Sequence, residues 1–346
     1  MNATNAPTAS MHVVQEVPEA EWKNFVDRSP RGNVFHTQEM HQVFEAAAQH
    51  APEVWAVVDD AAKVLALLTP VRVGVGGSWL QGVTARSISY GSVLCEEGDM
   101  GRRALDLLLS NYGQAVKGRT LFTELRNLDD LANVKPTIDA AGFLFEDHLN
   151  YLVDLDHPIE EIFGRIRKST RSGIRKGLRE HHVEIREVSD ADDFIRWHEI
   201  LVATYRNARV PLAHRSLFQA VFDILRPAGM ARLTLAMVNG HPAACSLDLF
   251  FKDTIYKWYG GTDRTYGKFL PNELMTWHIF ERGASEGYRL YDFGGAGKPN
   301  EPYGVRDFKA KFGGDLVNLG RYVMVHAPGR LRLAKSGYAF YRKRRT

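Results

Sequence analysis

The same succession of secondary structure is predicted twice along this chain of 346 residues. In each half, helices precede an antiparallel hairpin, and a third strand, a helix and a fourth strand follow it. The clearest hairpin is in the second half, where Asn239-Gly240 separates two apolar runs at 232–238 and 243–251. Its counterpart in the first half is predicted at 55–73. The repetition predicts an internal duplication of one mixed α/β unit of roughly 150 residues, with one large mixed sheet as the alternative.

The duplication divides the chain into two predicted domains. The first is expected at 13–150 and the second at 151–315, and residues 316–346 are expected to return to the first domain. A late strand is predicted at 316–325. Residues 1–12 contain neither a charged start nor an apolar run, so they are predicted to be a disordered leader and not a signal peptide.

Hydrophobic periodicity and turn residues set the limits of the individual elements. Helices are predicted at 18–28, 37–49, 100–116, 131–141, 158–179, 190–207, 214–225 and 271–285. Strands outside the two hairpins are predicted at 87–94, 121–125, 254–260, 289–293 and 316–325. The helix at 271–285 has the strongest boundary signals, because Pro271 begins it and Gly287 follows its end.

Composition excludes several classes of protein. The chain is 45% apolar, 25% charged and 11% aromatic, as expected of a globular protein. It has no run of 18 apolar residues, so we expect no membrane span. Its two cysteines, Cys95 and Cys245, are too few for a disulfide framework or a zinc site, and a reducing cytoplasm fits them.

Basic residues are concentrated in two segments that lack acidic residues. Residues 165–179 and 330–346 carry seven each, and removing these 14 from the net charge of +3 leaves about −11 for the rest of the chain. Such clusters suit phosphates, nucleic acid or an anionic membrane face. In the second segment, apolar and aromatic residues alternate loosely with the charges. This predicts peripheral contact with an anionic membrane surface, at the inner face of the membrane, with a frayed tail as the alternative.

The first basic segment is predicted to be helical, which places several like charges on one face. Like charges at helical spacing repel, so they do not stabilise the helix by themselves. We therefore predict that this face binds a phosphate-bearing substrate, although a solvated helix face is the commoner use of such residues. The predicted substrate-binding residues are Lys168, Arg171, Arg175 and Lys176, with Arg179 on the same face.

A second candidate site follows the predicted strand at 289–293. This strand runs into Gly294-Gly295, and after a loop Lys309 lies between aromatic residues beside a further glycine pair. Glycine lets a substrate approach the backbone closely, and the two glycines are predicted to contact substrate. An ammonium held among aromatic rings is poorly hydrated and interacts strongly with a developing negative charge.

This pattern predicts catalytic roles for three residues. Lys309 is expected to stabilise negative charge while an acyl group moves onto an amine, and Phe308 to position and desolvate it. Asp292 is expected to shape the glycine loop. The alternative is that Asp292 caps an ordinary turn and Lys309 is a solvated surface lysine.

The segment after the strand at 254–260 contains two further candidates for substrate binding. Arg264 and Gly267 have the spacing of an Arg-x-x-Gly-x-Gly/Ala phosphate loop, although Phe269 replaces the final small residue. An ordinary turn is the alternative. On the strand itself, Tyr256 and Tyr259 point to opposite faces, so only one of them is expected to reach a cleft.

Other catalytic motifs are absent from the sequence. It has no Gly-x-Ser-x-Gly elbow, no His-Glu-x-x-His and no complete P-loop. A covalent serine or cysteine mechanism, a metal and a bound cofactor are therefore not predicted.

Taken together, these motifs resemble the Fem family of peptidyltransferases over roughly residues 20–325. The resemblance depends on the order of five segments, which are 168–176, Tyr259-Gly260-Gly261, Leu270-Pro271-Asn272, 291–295 and Phe308-Lys309. It implies two tandem acetyltransferase-like (GNAT) domains, with the family's catalytic Phe-Lys pair at Phe308 and Lys309 and its cleft tyrosine at Tyr259. The chain departs from the family in lacking a long helical hairpin, and no lysine occurs at 33–45 to hold a precursor diphosphate.

The resemblance implies transfer of an amino acid from aminoacyl-tRNA to an amine of a peptidoglycan precursor or related cell-envelope acceptor. An acyl-CoA-dependent N-acyltransferase of polysaccharide or envelope biosynthesis is the alternative. A third hypothesis is a nucleic-acid or membrane-binding module without catalysis. The sequence leaves open the acyl group, the donor, the acceptor and the oligomeric state.

Overall fold

A computed structural model describes residues 10–74 and 85–332, which form two compact units. Among the described residues, the first unit comprises 10–74, 85–146 and 319–332, and the second comprises 147–318. Both units combine antiparallel strands with one parallel pair and pack helices against their sheets. The predicted mixed α/β fold class is confirmed.

The first unit contains a four-stranded and a six-stranded sheet, in the orders β1-β3-β4-β7 and β2-β5-β6-β8-β17-β9. Its strands are β1 Met11–Val14, β2 His50–Pro52, β3 Trp55–Asp59, β4 Val64–Leu68, β5 Val71–Val73, β6 Arg86–Tyr90, β7 Val93–Cys95, β8 Phe122–Arg126, β9 Leu144–Glu146 and β17 Arg321–Val325. Its helices are α1 Glu19–Arg28, α2 Gln38–Ala46, α3 Gly98–Val116 and α4 Lys135–Ala140. The amphipathic α3 buries Leu105, Leu108 and Tyr112 against β3 and β4.

The second unit is built on one sheet of seven strands in the order β11-β12-β13-β14-β15-β10-β16. These strands are β10 Leu149–Asp154, β11 Val183–Glu187, β12 Ala231–Val238, β13 His241–Phe251, β14 Thr254–Thr262, β15 Leu290–Gly295 and β16 Asp315–Asn318. The helices are α5 Ile159–Arg165, α6 Lys168–Glu180, α7 Ala191–Ala208, α8 Arg215–Ala220, α9 Pro271–Ser285 and α10 Gly304–Lys309. Aromatic rings of Phe280, Tyr291, Phe293 and Phe312 meet edge to face in its core.

The parallel pair of the second unit is short, and this shapes the sheet. Strands β14 and β15 pair only from Thr254 opposite Leu290 to Tyr256 opposite Asp292. Beyond that point β14 continues to Thr262 and β15 to Gly295 without pairing with each other. The two strands therefore separate at their carboxyl ends and open the sheet there.

Several elements end where the sequence did not predict an end. The helix predicted at 158–179 is two helices, because Ile166 and Arg167 adopt extended backbone angles between α5 and α6. Ile166 is buried at this break, and the Arg171 side chain donates to its carbonyl oxygen. A buried anchor and a side-chain hydrogen bond thus override helix propensity over these two residues.

Predicted strands were also too long where the chain passes from one sheet to another. The strand predicted at 87–94 breaks at Gly91 and Ser92, which adopt φ +78° and +70°, so that β7 joins β4 in the other sheet. The segment at 316–325 breaks at Gly320 (φ +67°) into β16 of the second unit and β17 of the first.

Further differences concern shorter pieces. The first-half hairpin splits at Thr69 and Pro70 into β4 and β5. The helix predicted at 131–141 is a 3₁₀ turn followed by α4, and the one at 214–225 ends in a π-helical turn. Strands β1, β2, β9, β10 and β11 and helix α10 were not predicted. Residues 1–9 of the predicted leader lie outside the described residues, whereas Met11 already belongs to β1.

The break between α5 and α6 yields a stability prediction. Gly313 has φ +76°, and an added Cβ would lie 2.3 Å from the Arg165 carbonyl oxygen. We expect Gly313→Ala to lower the free energy of unfolding by roughly 2–4 kcal/mol in urea titrations, from backbone strain and the clash. The matched control is Gly164→Ala in α5, where a Cβ meets nothing within 4 Å. This change should stabilise by up to about 1 kcal/mol through helix propensity, and equal effects of the two substitutions would contradict the packing described.

Candidate active site

A cleft of about 720 Å³ lies in the second unit where β14 and β15 separate. Its walls come from α7, the end of β14, the end of β15 and α10, and Arg264 lies at its edge. Most of its lining is apolar and aromatic. The aromatic lining residues are Tyr205, Trp258, Tyr259, Phe293, Tyr303 and Phe308. A concave apolar pocket with a few polar groups is the usual form of a binding site.

Lys309 lies in the wall of this cleft and is only 6% exposed. It is the last residue of α10, which directs its side chain toward the end of β15. The ammonium donates to three successive carbonyl oxygens, those of Phe293 at 2.6 Å, Gly294 at 3.0 Å and Gly295 at 2.8 Å. These carbonyls belong to the part of β15 that has no partner in β14. The lysine thus supplies hydrogen-bond donors where the separated strand lacks β14 as a neighbour.

The charge on Lys309 is balanced by opposing effects. Burial is the main cause that lowers the pKa of Lys309 to about 7; the Asp292 carboxylate opposes this shift, and the nearby Lys257 contributes to it. An ammonium has three N–H donors, and the three carbonyls accept all of them, which favours the charged form. The resulting group is a poorly hydrated cation within the cleft wall.

Asp292 lies behind the Gly294-Gly295 pair and is almost fully buried. Its carboxylate accepts from the backbone N–H of Gly294 at 2.6 Å and from the Asn150 side chain at 3.2 Å. Burial raises the pKa of Asp292 to about 6, against the lowering effects of these hydrogen bonds and of Lys309. Gly294 adopts φ +70°, a conformation that glycine reaches without strain. Asp292 therefore fixes the turn that presents Gly294 and Gly295 to the cleft.

The two predicted cleft tyrosines have different surroundings. Tyr259 lines the cleft and packs edge to face on Phe218, with centroids 4.8 Å apart, and against Tyr205 at 5.9 Å. Tyr256 is half-buried and does not belong to the lining. Burial raises the pKa of Tyr205 to about 12, so this phenol stays protonated near neutral pH.

Phe308 lines the cleft beside Lys309 and packs on Phe312, with ring centroids 5.3 Å apart. The Lys311 ammonium lies 5.3 Å from the centre of the Phe308 ring. Arg264 is exposed at the cleft edge and begins a 3₁₀ helix that Asp263 caps. The structure thus brings Lys309, Phe308 and Arg264 to one cleft.

The basic face of α6 is not part of this cleft lining. Arg171 donates to the carbonyl oxygens of Gly164 and Ile166 and so joins α5 to α6. Arg175 lies over the Phe163 ring at 5.0 Å, and Lys176 pairs with Glu180 at 3.6 Å. Within the predicted phosphate-binding face, Arg171 thus has a structural partner, whereas the neighbouring Lys168 and Arg179 are exposed. Of the second basic cluster, only residues 330–332 lie within the described part of the chain.

The structure adds residues that the sequence did not single out. Lys257, Thr204 and Tyr303 line the cleft, and Asn150 donates to Asp292. Lys257 lies on the strand predicted at 254–260, and a charged residue among its aromatic residues could have indicated a functional position. Asn150 offered none, because its role depends on the pairing of β10 with β15.

Comparison with known families identifies the class of the second unit. A model of the acetyltransferase (GNAT) domain matches residues 164–309, which is less than half of the chain but runs from α5 to Lys309. The chain is an acyltransferase. No curated protein sequence matches it.

Solved structures show that the acyltransferase has two tandem GNAT-like domains, as predicted. A crystal structure of FemX aligns with 93% of this chain and 99% of its own, at a TM-score of 0.72 and 14% identity. A tandem GNAT protein from the clavulanic acid biosynthesis pathway aligns with 92% of this chain and 99% of its own, at 0.58 and 13%. L-PGS from Bacillus licheniformis aligns over 90% and 93%, at 0.56 and 14%. At these identities the likeness establishes the fold.

Two kinds of feature are absent from the described residues of the acyltransferase. None of the helices in this part is long and apolar enough to cross a membrane. Nor do His, Cys, Asp and Glu side chains come together there in a group of three that could hold a metal ion.

The electrostatics of the cleft predict opposite shifts at Lys309. Asp292→Asn should lower the Lys309 pKa below about 7, because it removes the charge that raises it. Lys257→Met should raise that pKa, because it removes a like charge. The measurement is an NMR titration of Lys309 in protein carrying ¹³C at the lysine Cε. Shifts of the same sign in both variants, or a wild-type midpoint near the ordinary 10.5, would contradict the arrangement.

Proposed function

We propose that this acyltransferase forms an amide bond by transferring an amino acid from aminoacyl-tRNA to an amine of a peptidoglycan precursor or related cell-envelope acceptor. The observation that carries the proposal is the cleft itself, which combines aromatic walls with Lys257, Lys309 and Arg264. The likeness of the whole chain to FemX supports it at the level of the fold.

The lining supports direct attack of the amine on the donor ester. Among the described residues of the lining there is no serine, cysteine, histidine, aspartate or glutamate, so a serine or cysteine nucleophile activated by a histidine or carboxylate base has no candidate there. An aminoacyl ester is already activated, and the protein needs only to align a neutral amine with it and stabilise the oxyanion. The nitrogen–carbon bond forms, the carbon–oxygen bond of the ester breaks, and the proton of the amine passes to the leaving oxygen.

Lys309 contributes to this step from within the cleft wall. Its donors are bound to backbone carbonyls, so its charge acts on the oxyanion or leaving oxygen through the field of a poorly hydrated cation. It also holds Gly294 and Gly295 in the conformation that shapes the cleft floor. Phe308 excludes water beside it.

The exposed basic residues are proposed to bind phosphates of the substrates. On α6 these are Lys168, Arg175, Lys176 and Arg179, which are all exposed. The second basic cluster at 330–346 is proposed to approach an anionic membrane surface, which fits a cytoplasmic enzyme working at the inner face of the membrane.

The second candidate function is an acyl-CoA-dependent N-acyltransferase, which the matched GNAT domain favours. Against it stands the loop that would hold the pyrophosphate. The backbone N–H groups of Thr265, Tyr266 and Leu270 donate within the loop, to Asp263 and Gly267. A pyrophosphate loop needs such groups free for the ligand. The aminoacyl-tRNA donor is therefore the better-supported proposal, and no resident cofactor is proposed.

The donor is tested by incubating the protein with a pool of charged tRNAs and muropeptide precursors, and separately with acetyl-CoA and the same precursors. Mass spectrometry should detect an aminoacylated precursor in the first reaction. Product from acetyl-CoA alone, with tight stoichiometric binding of acetyl-CoA by calorimetry, would favour the second candidate.

Lys309→Met tests the cation in the cleft wall. We expect a fall in turnover of roughly 100-fold, which corresponds to about 3 kcal/mol for one electrostatic contact. The variant should also unfold more readily, because each buried carbonyl left without a donor costs about 1–3 kcal/mol. Turnover and urea unfolding are measured beside Lys23→Met, an exposed lysine of the first unit that pairs with Asp27. Turnover within threefold of wild type in the folded variant would refute this role.

The basic helix predicts a change in the salt dependence of tRNA binding. Removing two phosphate contacts with the double variant Lys168→Ala and Arg179→Ala should reduce the slope of log K against log salt by roughly 1.4–1.8. The control is Arg171→Ala. Because its guanidinium joins α5 to α6, this change should lower the free energy of unfolding and change the slope much less than the double variant does. Equal slopes in wild type and double variant would exclude α6 from the tRNA site.

A further inference from the structure

A buried chain of hydrogen bonds ends at the second lysine of the cleft. The Lys257 ammonium donates to the Ser246 hydroxyl at 2.8 Å, and that hydroxyl donates to one Asp248 oxygen at 2.5 Å. The Tyr291 hydroxyl donates to the other Asp248 oxygen at 2.9 Å. Ser246, Asp248 and Tyr291 are all buried, and only Lys257 reaches the cleft. This chain of hydrogen bonds fixes the position of the Lys257 ammonium from inside the core.

A β-bulge brings Lys257 to this position. Asp248 lies opposite Lys257 and Leu247 opposite Tyr259, so β14 has one residue more than β13 at this point of the ladder. A bulge redirects the side chains of the strand that contains it. As a result Lys257, Trp258 and Tyr259 all line the cleft, although alternation along a regular strand would turn the middle one away.

The two lysines of the cleft differ in what their donors do. All three N–H groups of Lys309 are taken by backbone carbonyls. Within the described part of the chain, Lys257 makes one hydrogen bond, to Ser246. An ammonium has three donors, so two remain for a ligand in the cleft. Lys257 is thus the lysine of the cleft that can hydrogen-bond a substrate oxygen without breaking a contact of the fold.

Building on the proposed function, we propose that Lys257 is a catalytic residue that donates to the acyl oxygen of the donor. When the amine attacks the carbonyl carbon, the π electrons move onto that oxygen, and the Lys257 N–H groups stabilise the oxyanion. The electrons then return, the carbon–oxygen bond of the donor breaks, and the proton of the amine goes to the leaving oxygen. Ser246 and Asp248 are positioning residues, because they act through Lys257.

The first test compares kcat and KM of Lys257→Met, Lys257→Arg and Ser246→Ala with wild type. We expect Lys257→Met to lower kcat at least 30-fold with KM changed less than threefold, because the contact forms in the transition state. Lys257→Arg retains donors and should recover at least tenfold over Lys257→Met, and Ser246→Ala should lower kcat by about three- to tenfold. The control is Lys252→Met in the exposed turn between β13 and β14. A kcat of Lys257→Met within threefold of wild type would overturn the proposal.

The assay is run with both aminoacyl-tRNA and acyl-CoA donors. Product from acyl-CoA alone would contradict the proposed donor, and the same variants would then decide the role of Lys257 on that substrate. A second measurement needs no turnover, namely trace labelling with acetic anhydride followed by mass spectrometry. Lys257 should label at least ten times faster than Lys309, since its donors face the cleft. Equal labelling rates of Lys257 and Lys309 would overturn the inference, whichever donor the protein uses and even if no turnover is detected.

Discussion

The early separation of β14 and β15 is the constraint on which the rest of the second unit depends. The strands pair over three residues and then part, which opens the cleft and leaves the end of β15 without a neighbour on the β14 side. Backbone carbonyls at such a place need donors. Lys309 supplies three from the end of α10, and Asp292 holds the adjoining turn through Gly294. Lys309, Gly294 and Gly295 therefore both stabilise the separated strand and line the cleft, and Asp292 supports them from behind.

In the mechanism that we propose, two lysines divide the electrostatic work of the acyltransferase. Lys309 is bound to the backbone and contributes a fixed charge, whereas Lys257 is held by Ser246 and Asp248 with donors left toward the cleft. Lys257 lowers the pKa of Lys309, and Asp292 opposes this effect. Aromatic walls around both reduce hydration, so the field of each charge is less screened by water.

The sequence predicted those features that depend on local chemistry. The Asn239-Gly240 turn, the helix from Pro271 to Ser285 and the repeated α/β plan have residues whose backbone preferences agree with the structure. The break of the helix predicted at 158–179 could not be predicted, because it depends on Arg171 and on the close approach of Gly313 to Arg165. The cleft position of Lys309 follows its motif, but its three carbonyl partners and the bulge that redirects Lys257 arise only when distant strands pair.

The central claim is that the Lys309 ammonium replaces a missing strand partner at the floor of the cleft. NMR of the lysine ammonium groups tests it directly, through scalar couplings across hydrogen bonds between ¹⁵Nζ and backbone ¹³C carbonyls. The structure predicts a slowly exchanging Lys309 signal coupled to the carbonyls of Phe293, Gly294 and Gly295. A Lys309 ammonium that exchanges with solvent as fast as an exposed lysine, and shows no coupling to these carbonyls, would contradict the account.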